Sequence, residues 1–163
     1  MKHNLCAANG EILLMPMSHN DSEQYRLLRN REENRIWFGS QSIISNEQNE
    51  LWYAKYINRE NDYMFSVLKK ANGAFLGGCA IYDIVEETGV AEFGRIIIRN
   101  DMRKSGYGFS TVMAALDIAR ELELTEVILE VKANNTAALT TYERAGFVRY
   151  SIKNEMVLMR VFL

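Results

Sequence analysis

The feature that most constrains this chain is a change of hydrophobic period across a turn that carries two glycines. Val90 to Arg99 reads as an apolar strand. Phe109, Val112, Met113, Leu116, Ala119 and Leu122 then form one continuous apolar stripe at helical spacing. Beyond the helix, Val127, Leu129 and Val131 alternate with Glu126, Ile128 and Glu130, the two-residue period of another strand. A strand reached through a crossover helix favours parallel pairing with the strand before it.

The turn itself reads Arg103-Lys104-Ser105-Gly106-Tyr107-Gly108. Glycine allows backbone angles and close approaches that a side chain would block. The first turn of a helix has backbone N–H groups without partners, and these bind phosphate well. Arg103 and Lys104 add positive charge beside them. Together they suggest a pyrophosphate cradle; the plainer alternative is a tight turn with solvent-facing basic residues. The turn has neither the spacing of a triphosphate P-loop nor the third glycine of the dinucleotide fingerprint.

The remaining chain surrounds this unit with further strands and helices. Ile12 to Met15, ended by Pro16, is expected as the first strand, and Asp21 to Asn30 as a helix capped by Ser18 or Asn20. Ser45 with Gln48 forms a capping-box pattern for the next helix. Tyr63–Leu68, Phe75–Val85 and Val90–Arg99 are expected as an antiparallel meander, with Asn72-Gly73 in the first turn and a bulge or close backbone approach at Gly77-Gly78. Asn134 or Asn135 caps a short helix that stops at Gly146, and two late strands follow as a hairpin. The class is α/β with a mixed sheet. Trp37 and Phe38, in a polar stretch without clear periodicity, either line an acceptor pocket or fold back onto the core.

Composition narrows the chemistry. A chain of 163 residues, 48% hydrophobic and 25% charged, suits one folded domain over 1–163. A net charge of −2 gives no support to a nucleic-acid partner. Cys6 and Cys79 have no metal or CxxC spacing, and His3 and His19 are the only histidines. That argues against a histidine-rich zinc site and a late Ser-His-Asp triad. No apolar run has the length of a membrane span or a signal-peptide core, so a cytoplasmic protein is expected. Nothing specifies the oligomeric state, and a monomer or a homodimer fits.

Two motifs carry a resemblance. Arg103, Gly106 and Gly108 match a pattern of Arg or Gln, two residues, Gly, one residue, then Gly or Ala. Asn135, Ala138, Tyr142, Gly146 and Phe147 match a second pattern, with one helix and one strand between the two. In both, the sequence resembles the GCN5-related N-acetyltransferases, which move an acetyl group from acetyl-CoA to an amine. The resemblance is strongest over residues 90–150. Residues 30–53 resemble, more loosely, the branch of ribosomal-protein and amino-sugar acetyltransferases.

The resemblance implies a mostly antiparallel central sheet with a splayed parallel pair and flanking helices. It implies acetyl-CoA as acetyl donor, its pyrophosphate on the backbone of Arg103, Lys104, Ser105, Gly106, Tyr107 and Gly108. The pantetheine arm would run along Ile96, Ile97 and Ile98 as an added strand does, with Asn135 in contact. Tyr142 would be the acid that protonates the leaving thiolate. Glu130 is the favoured base, twelve positions before Tyr142 and on the polar face of its strand; Glu92 is the second choice, or instead binds the acceptor or pairs with Arg95. A small-molecule amine, such as a nucleotide-linked amino sugar, is favoured as acceptor over a protein N-terminus. A non-catalytic CoA-binding module is the alternative outside enzymes.

Overall fold

The computed structural model describes residues 1–103 and 105–163. Eight strands form one sheet in the order β1-β2-β3-β4-β5-β6-β8-β7. They are β1 (Ala7–Asn9), β2 (Ile12–Pro16), β3 (Asp62–Lys69), β4 (Phe75–Val85), β5 (Val90–Ile98), β6 (Glu126–Lys132), β7 (Val148–Lys153) and β8 (Met156–Phe162). Every neighbouring pair is antiparallel except β5 with β6. The mixed sheet and its meander are as expected from the periodicity. The short β1 was not; it returns from β2 through Gly10, whose φ of +55° suits glycine.

The helices are α1 (His19–Asn30), α2 (Glu32–Arg35), α3 (Asn46–Tyr56), α4 (Tyr107–Glu121) and α5 (Thr136–Arg144). Ser18 caps α1 by accepting from the Asp21 N–H, at 3.1 Å. Ser45 and Gln48 complete a reciprocal capping box on α3. Helix α4 packs on one face of the sheet. Val112, Leu116 and Ile118 of α4 are buried there against Phe93 and Leu129, each fully buried aliphatic contributing about 1.5–3 kcal/mol. Helices α1 and α3 cover part of the other face, where Tyr56 is buried with Met17, Met64 and Ala80. Leu27 and Leu51 lie outside these contacts and are exposed.

The N-terminal segment adds a pH-sensitive element. The His3 ring packs edge-on against Tyr63 and Phe65, at centroid distances of 5.1 and 5.0 Å. Burial, first, and nearby positive charge lower its pKa from 6.5 to about 4, against a hydrogen bond to the Met64 carbonyl that works the other way. The unfolded chain therefore binds a proton at His3 near pH 6.5 while the folded chain refuses it until about pH 4. This contribution to stability is complete above that window and is lost as pH falls through it. His3→Phe is expected to flatten the fall in Tm between pH 6.5 and 4; urea or thermal melts of both chains across that range decide it.

Candidate active site

Strands β5 and β6 pair over three positions only: Val90 with Glu126, Ala91 with Val127 and Glu92 with Ile128. Beyond them the strands part, β5 staying with β4 and β6 staying with β8. Two local features draw β5 away. Ala80 pairs with Gly94 and Gly78 with Ile97, so Arg95 and Ile96 together oppose Cys79, a bulge with Arg95 at φ +52°. The Ile97 carbonyl also closes onto Gly77, where an added Cβ would lie 1.9 Å from that oxygen. The edge of β5 that would have met β6 faces a cleft of ≈ 420 Å³.

Ile96, Ile97, Ile98, Arg103, Glu130, Asn135 and Tyr142 line this cleft, so the fold gathers seven of the residues singled out from sequence. Ser105, Gly106, Tyr107 and Gly108 are not among its lining residues; they follow Arg103 at the start of α4. Lys104 lies outside the described residues. Gly106 is the N-cap of α4 at φ +77°, with no side-chain cap. Among the described residues Ser110 is the first to donate to the helix ladder, to the Gly106 carbonyl at 3.0 Å, and the N–H groups of 107–109 have no helical partner there. Among the described residues, chain neighbours and the backbone of α4 aside, nothing lies within 4 Å of a Cβ placed at Gly106 or Gly108. The Tyr107 side chain turns into the core and donates to Glu11 at 3.3 Å, leaving only its backbone for the turn.

The other side chains are held by named partners. Arg103 donates to Asn34 Oδ1 at 2.6 Å, and Asn34 Nδ2 donates to the Leu28 carbonyl at 2.7 Å. Asn135 caps α5, its Oδ1 accepting from the Ala138 N–H at 3.3 Å. Tyr142 is 6% exposed, and its ring packs against Phe93 and Phe147 at centroid distances of 6.4 and 5.9 Å. Burial pushes its phenol well above the usual range, so it keeps its proton at neutral pH. Trp37 lines the cleft, while Phe38 both borders it and packs on the cluster of Leu28, Phe75 and Ile97.

Glu92 faces the same cleft and is half-buried. Tyr82 donates its hydroxyl to Glu92. Burial raises the Glu92 pKa; the Tyr82 hydrogen bond opposes that, and the charges of Glu130 and Asp83 add to it. Arg95 does not pair with Glu92. Its guanidinium bonds Asp62 at 2.9 Å and lies over the Tyr82 ring at 4.1 Å. Asp62, Tyr82 and Glu92 are adjacent in register across β3, β4 and β5. A Cβ at Gly94 would lie 2.9 Å from the Tyr82 hydroxyl, so this glycine makes room for the contact. Glu130, by contrast, is exposed on β6. The Tyr82–Glu92 hydrogen bond was not visible in the sequence; the meander register would have pointed to it. Among the described residues no cluster of metal-ligating side chains occurs, and no helix is long and apolar enough to cross a membrane.

Residues 11–148 match the acetyltransferase (GNAT) domain family. The chain belongs to that family. A curated relative, N-alpha-acetyltransferase 30 of Schizosaccharomyces pombe, is 29% identical over 103 residues, covering 60% of this chain and 69% of that protein. Among solved structures, the spermidine N-acetyltransferase of Vibrio cholerae in complex with CoA and spermine superposes with a TM-score of 0.88. It is 23% identical, over 94% of this chain and 96% of that one. FdhC, a nucleotide-linked sugar GNAT, has a TM-score of 0.85 at 18% identity, over 98% of this chain and 91% of its own. At these identities the two structures share the GNAT fold with this chain, including a mostly antiparallel sheet with one parallel pair.

Proposed function

We propose that this chain, acting as one acetyltransferase domain, transfers an acetyl group from acetyl-CoA to a primary amine by direct attack. The observation that carries the reading is the gap between β5 and β6, with a free strand edge on one wall and Glu92 and Tyr142 both lining it. The residues fit the donor substrate. Backbone N–H groups 107–109 and the open space over Gly106 and Gly108 suit a pyrophosphate. The unpaired edge at Ile96–Ile98 suits an amide-bearing arm laid down as an extra strand. Asn135, the N-cap of α5, lines the same cleft.

The donor supplies an acetyl group already activated as a thioester. The chain's residues supply the proton movements. An alkyl amine arrives mostly protonated at pH 7 and must lose a proton before it attacks. We assign that proton to Glu92 rather than to Glu130. Glu92 is half-buried, fixed by Tyr82, and raised in pKa towards the working pH, whereas Glu130 is exposed and acts on Glu92 through its charge. Tyr142 gives its proton to the departing sulfur and is reprotonated by way of solvent, which takes up the second proton lost by the acetylated nitrogen and the one Glu92 releases. A β5 backbone N–H polarises the thioester carbonyl. Cys79 lies fully buried in the core, its thiol pKa pushed up by burial, which supports transfer without an acyl-enzyme.

A small amine is the favoured acceptor, with a nucleotide-linked amino sugar first; Trp37 and Tyr82 in the cleft offer ring faces to a base or sugar. The second reading is a protein N-terminus, supported by the sequence likeness to N-alpha-acetyltransferase 30. Calorimetric titration with acetyl-CoA tests the core of the proposal. Wild type is expected to bind, and a folded Gly106→Trp/Gly108→Trp variant to lose binding, with circular dichroism as the folding control. A well-folded wild type that shows no heat of binding overturns the donor assignment and the roles of Tyr142 and Glu92 with it.

A further inference from the structure

A second cavity, of ≈ 370 Å³, lies between α1 and α3 and shares Phe38 and Arg95 with the acetyl-transfer cleft. Its wall is largely apolar, with Tyr25, Ile44, Trp52 and Met64 in it. Three arginines also line it, and no aspartate or glutamate does. Two of the three are neutralised from outside the cavity. Arg26 donates to Glu23 at 2.7 Å and to the Ile44 carbonyl at 2.8 Å. Arg95 donates to Asp62.

Arg29 is the exception. It is 6% exposed, its guanidinium stacks on Phe38 at 4.0 Å, and Nη2 donates to the Ser40 carbonyl. Nη1 is buried and has no partner among the described residues. A guanidinium carries five donors in a fixed fork and stays charged at any working pH. Burying one without a counter-ion is unfavourable unless an anion completes it. Phe38, which covers the group, stands on segment 37–45, which forms neither helix nor strand.

We propose that this cavity receives an anionic group of the acceptor, held by Arg29, while the acceptor's amine reaches Glu92 past Phe38 and Arg95, the residues common to both walls. The acceptor class is then a primary amine that also bears a carboxylate or phosphate next to an apolar or ring portion, which packs on Trp52. The same cavity disfavours a polyamine, because no carboxylate lines it and three guanidiniums do. This rests on the acetyltransferase reading above, and it narrows the acceptor within it.

The test compares matched amines at saturating acetyl-CoA. Phenylalanine against phenethylamine isolates a carboxylate. A nucleoside-diphosphate-linked amino sugar against the free amino sugar isolates the phosphates. Spermidine supplies the polycation. In at least one pair the anionic member is expected to exceed its neutral partner in kcat/KM by about 10- to 100-fold, the range of a charge-assisted hydrogen bond. Which pair responds identifies the source of the anion. Arg29→Met should erase the ratio mainly through KM, and Arg29→Lys should restore part of it.

A ratio near one in both pairs, a preference for spermidine, or equal losses for both members in Arg29→Met overturns the proposal. Binding is read separately from Trp52 fluorescence in a Trp37→Phe chain without acetyl-CoA. There the anionic member alone should shift the emission, and Arg29→Met should abolish the shift. If acetyl-CoA does not bind, the enzyme reading fails while this titration still decides whether the cavity takes the anion.

Discussion

Glu92→Gln is expected to lower kcat by about 10²–10⁴-fold, the usual worth of a general base, with acetyl-CoA affinity unchanged. The amide keeps the shape of the side chain and can still accept from Tyr82, so the loss reads the proton transfer rather than the packing. The pH profile gives the sign. A base works only when deprotonated, so the wild-type rate falls as pH drops through the Glu92 pKa. Burial, reinforced by Glu130 and Asp83, raises that pKa, so the acidic limb lies higher than an exposed glutamate would put it. Glu92→Gln should erase the limb. Glu130→Gln removes one of the charges that raise the pKa, so it should move the limb to lower pH and cost less than tenfold in rate. The reverse pattern, with Glu130→Gln inactive and Glu92→Gln active, would return the base role to Glu130.

That choice between two carboxylates marks where the sequence stopped being sufficient. Periodicity was enough for α4 and β6, each with a period tied to one buried face, while β3 and β4, buried on both faces, were legible as apolar runs bounded by turns. The crossover through α4 was enough for the parallel pairing of β5 with β6. The two motifs were enough to single out Arg103, Asn135 and Tyr142, which do line one cleft. Glu130 and Glu92 look alike in sequence, since each alternates with apolar neighbours on its strand. Their difference is one of burial and partners. Glu92 sits beside Tyr82, ten positions away in the chain, while the next strand over supplies Asp62 to hold Arg95. Contacts of this kind depend on register, and register is fixed by turns and bulges that leave weak traces in a single chain. Arg95 shows the point: a non-glycine residue at positive φ carries no sequence signal, yet it shifts β5 by one residue against β4. Arg29 was equally silent. It sits in an amphipathic helix pattern where an arginine reads as solvent-facing, and only the fold of segment 37–45 buries it.

Gly77→Ala is expected to be the most destabilising small substitution in the site's framework, by about 3 kcal/mol or more, lowering Tm by roughly 6–12 °C for a chain of this length. The added Cβ would meet the Ile97 carbonyl oxygen at 1.9 Å and its carbon at 2.9 Å. Both are backbone atoms of a strand still paired to β4 at that point, so no rotamer change relieves the contact. Either the β4–β5 pair opens or β5 moves towards the gap. Gly39→Ala is the control, because nothing lies within 4 Å of its Cβ and its φ is ordinary; it should change stability by under about 1 kcal/mol. The two variants also separate stability from function. If Gly77→Ala stays folded at low temperature, displaced β5 residues Ile96–Ile98 should weaken acetyl-CoA binding even though Gly77 itself does not line the cleft. A Gly77→Ala chain that melts with wild type and binds acetyl-CoA equally well would show that β5 is positioned by the bulge at Arg95 alone.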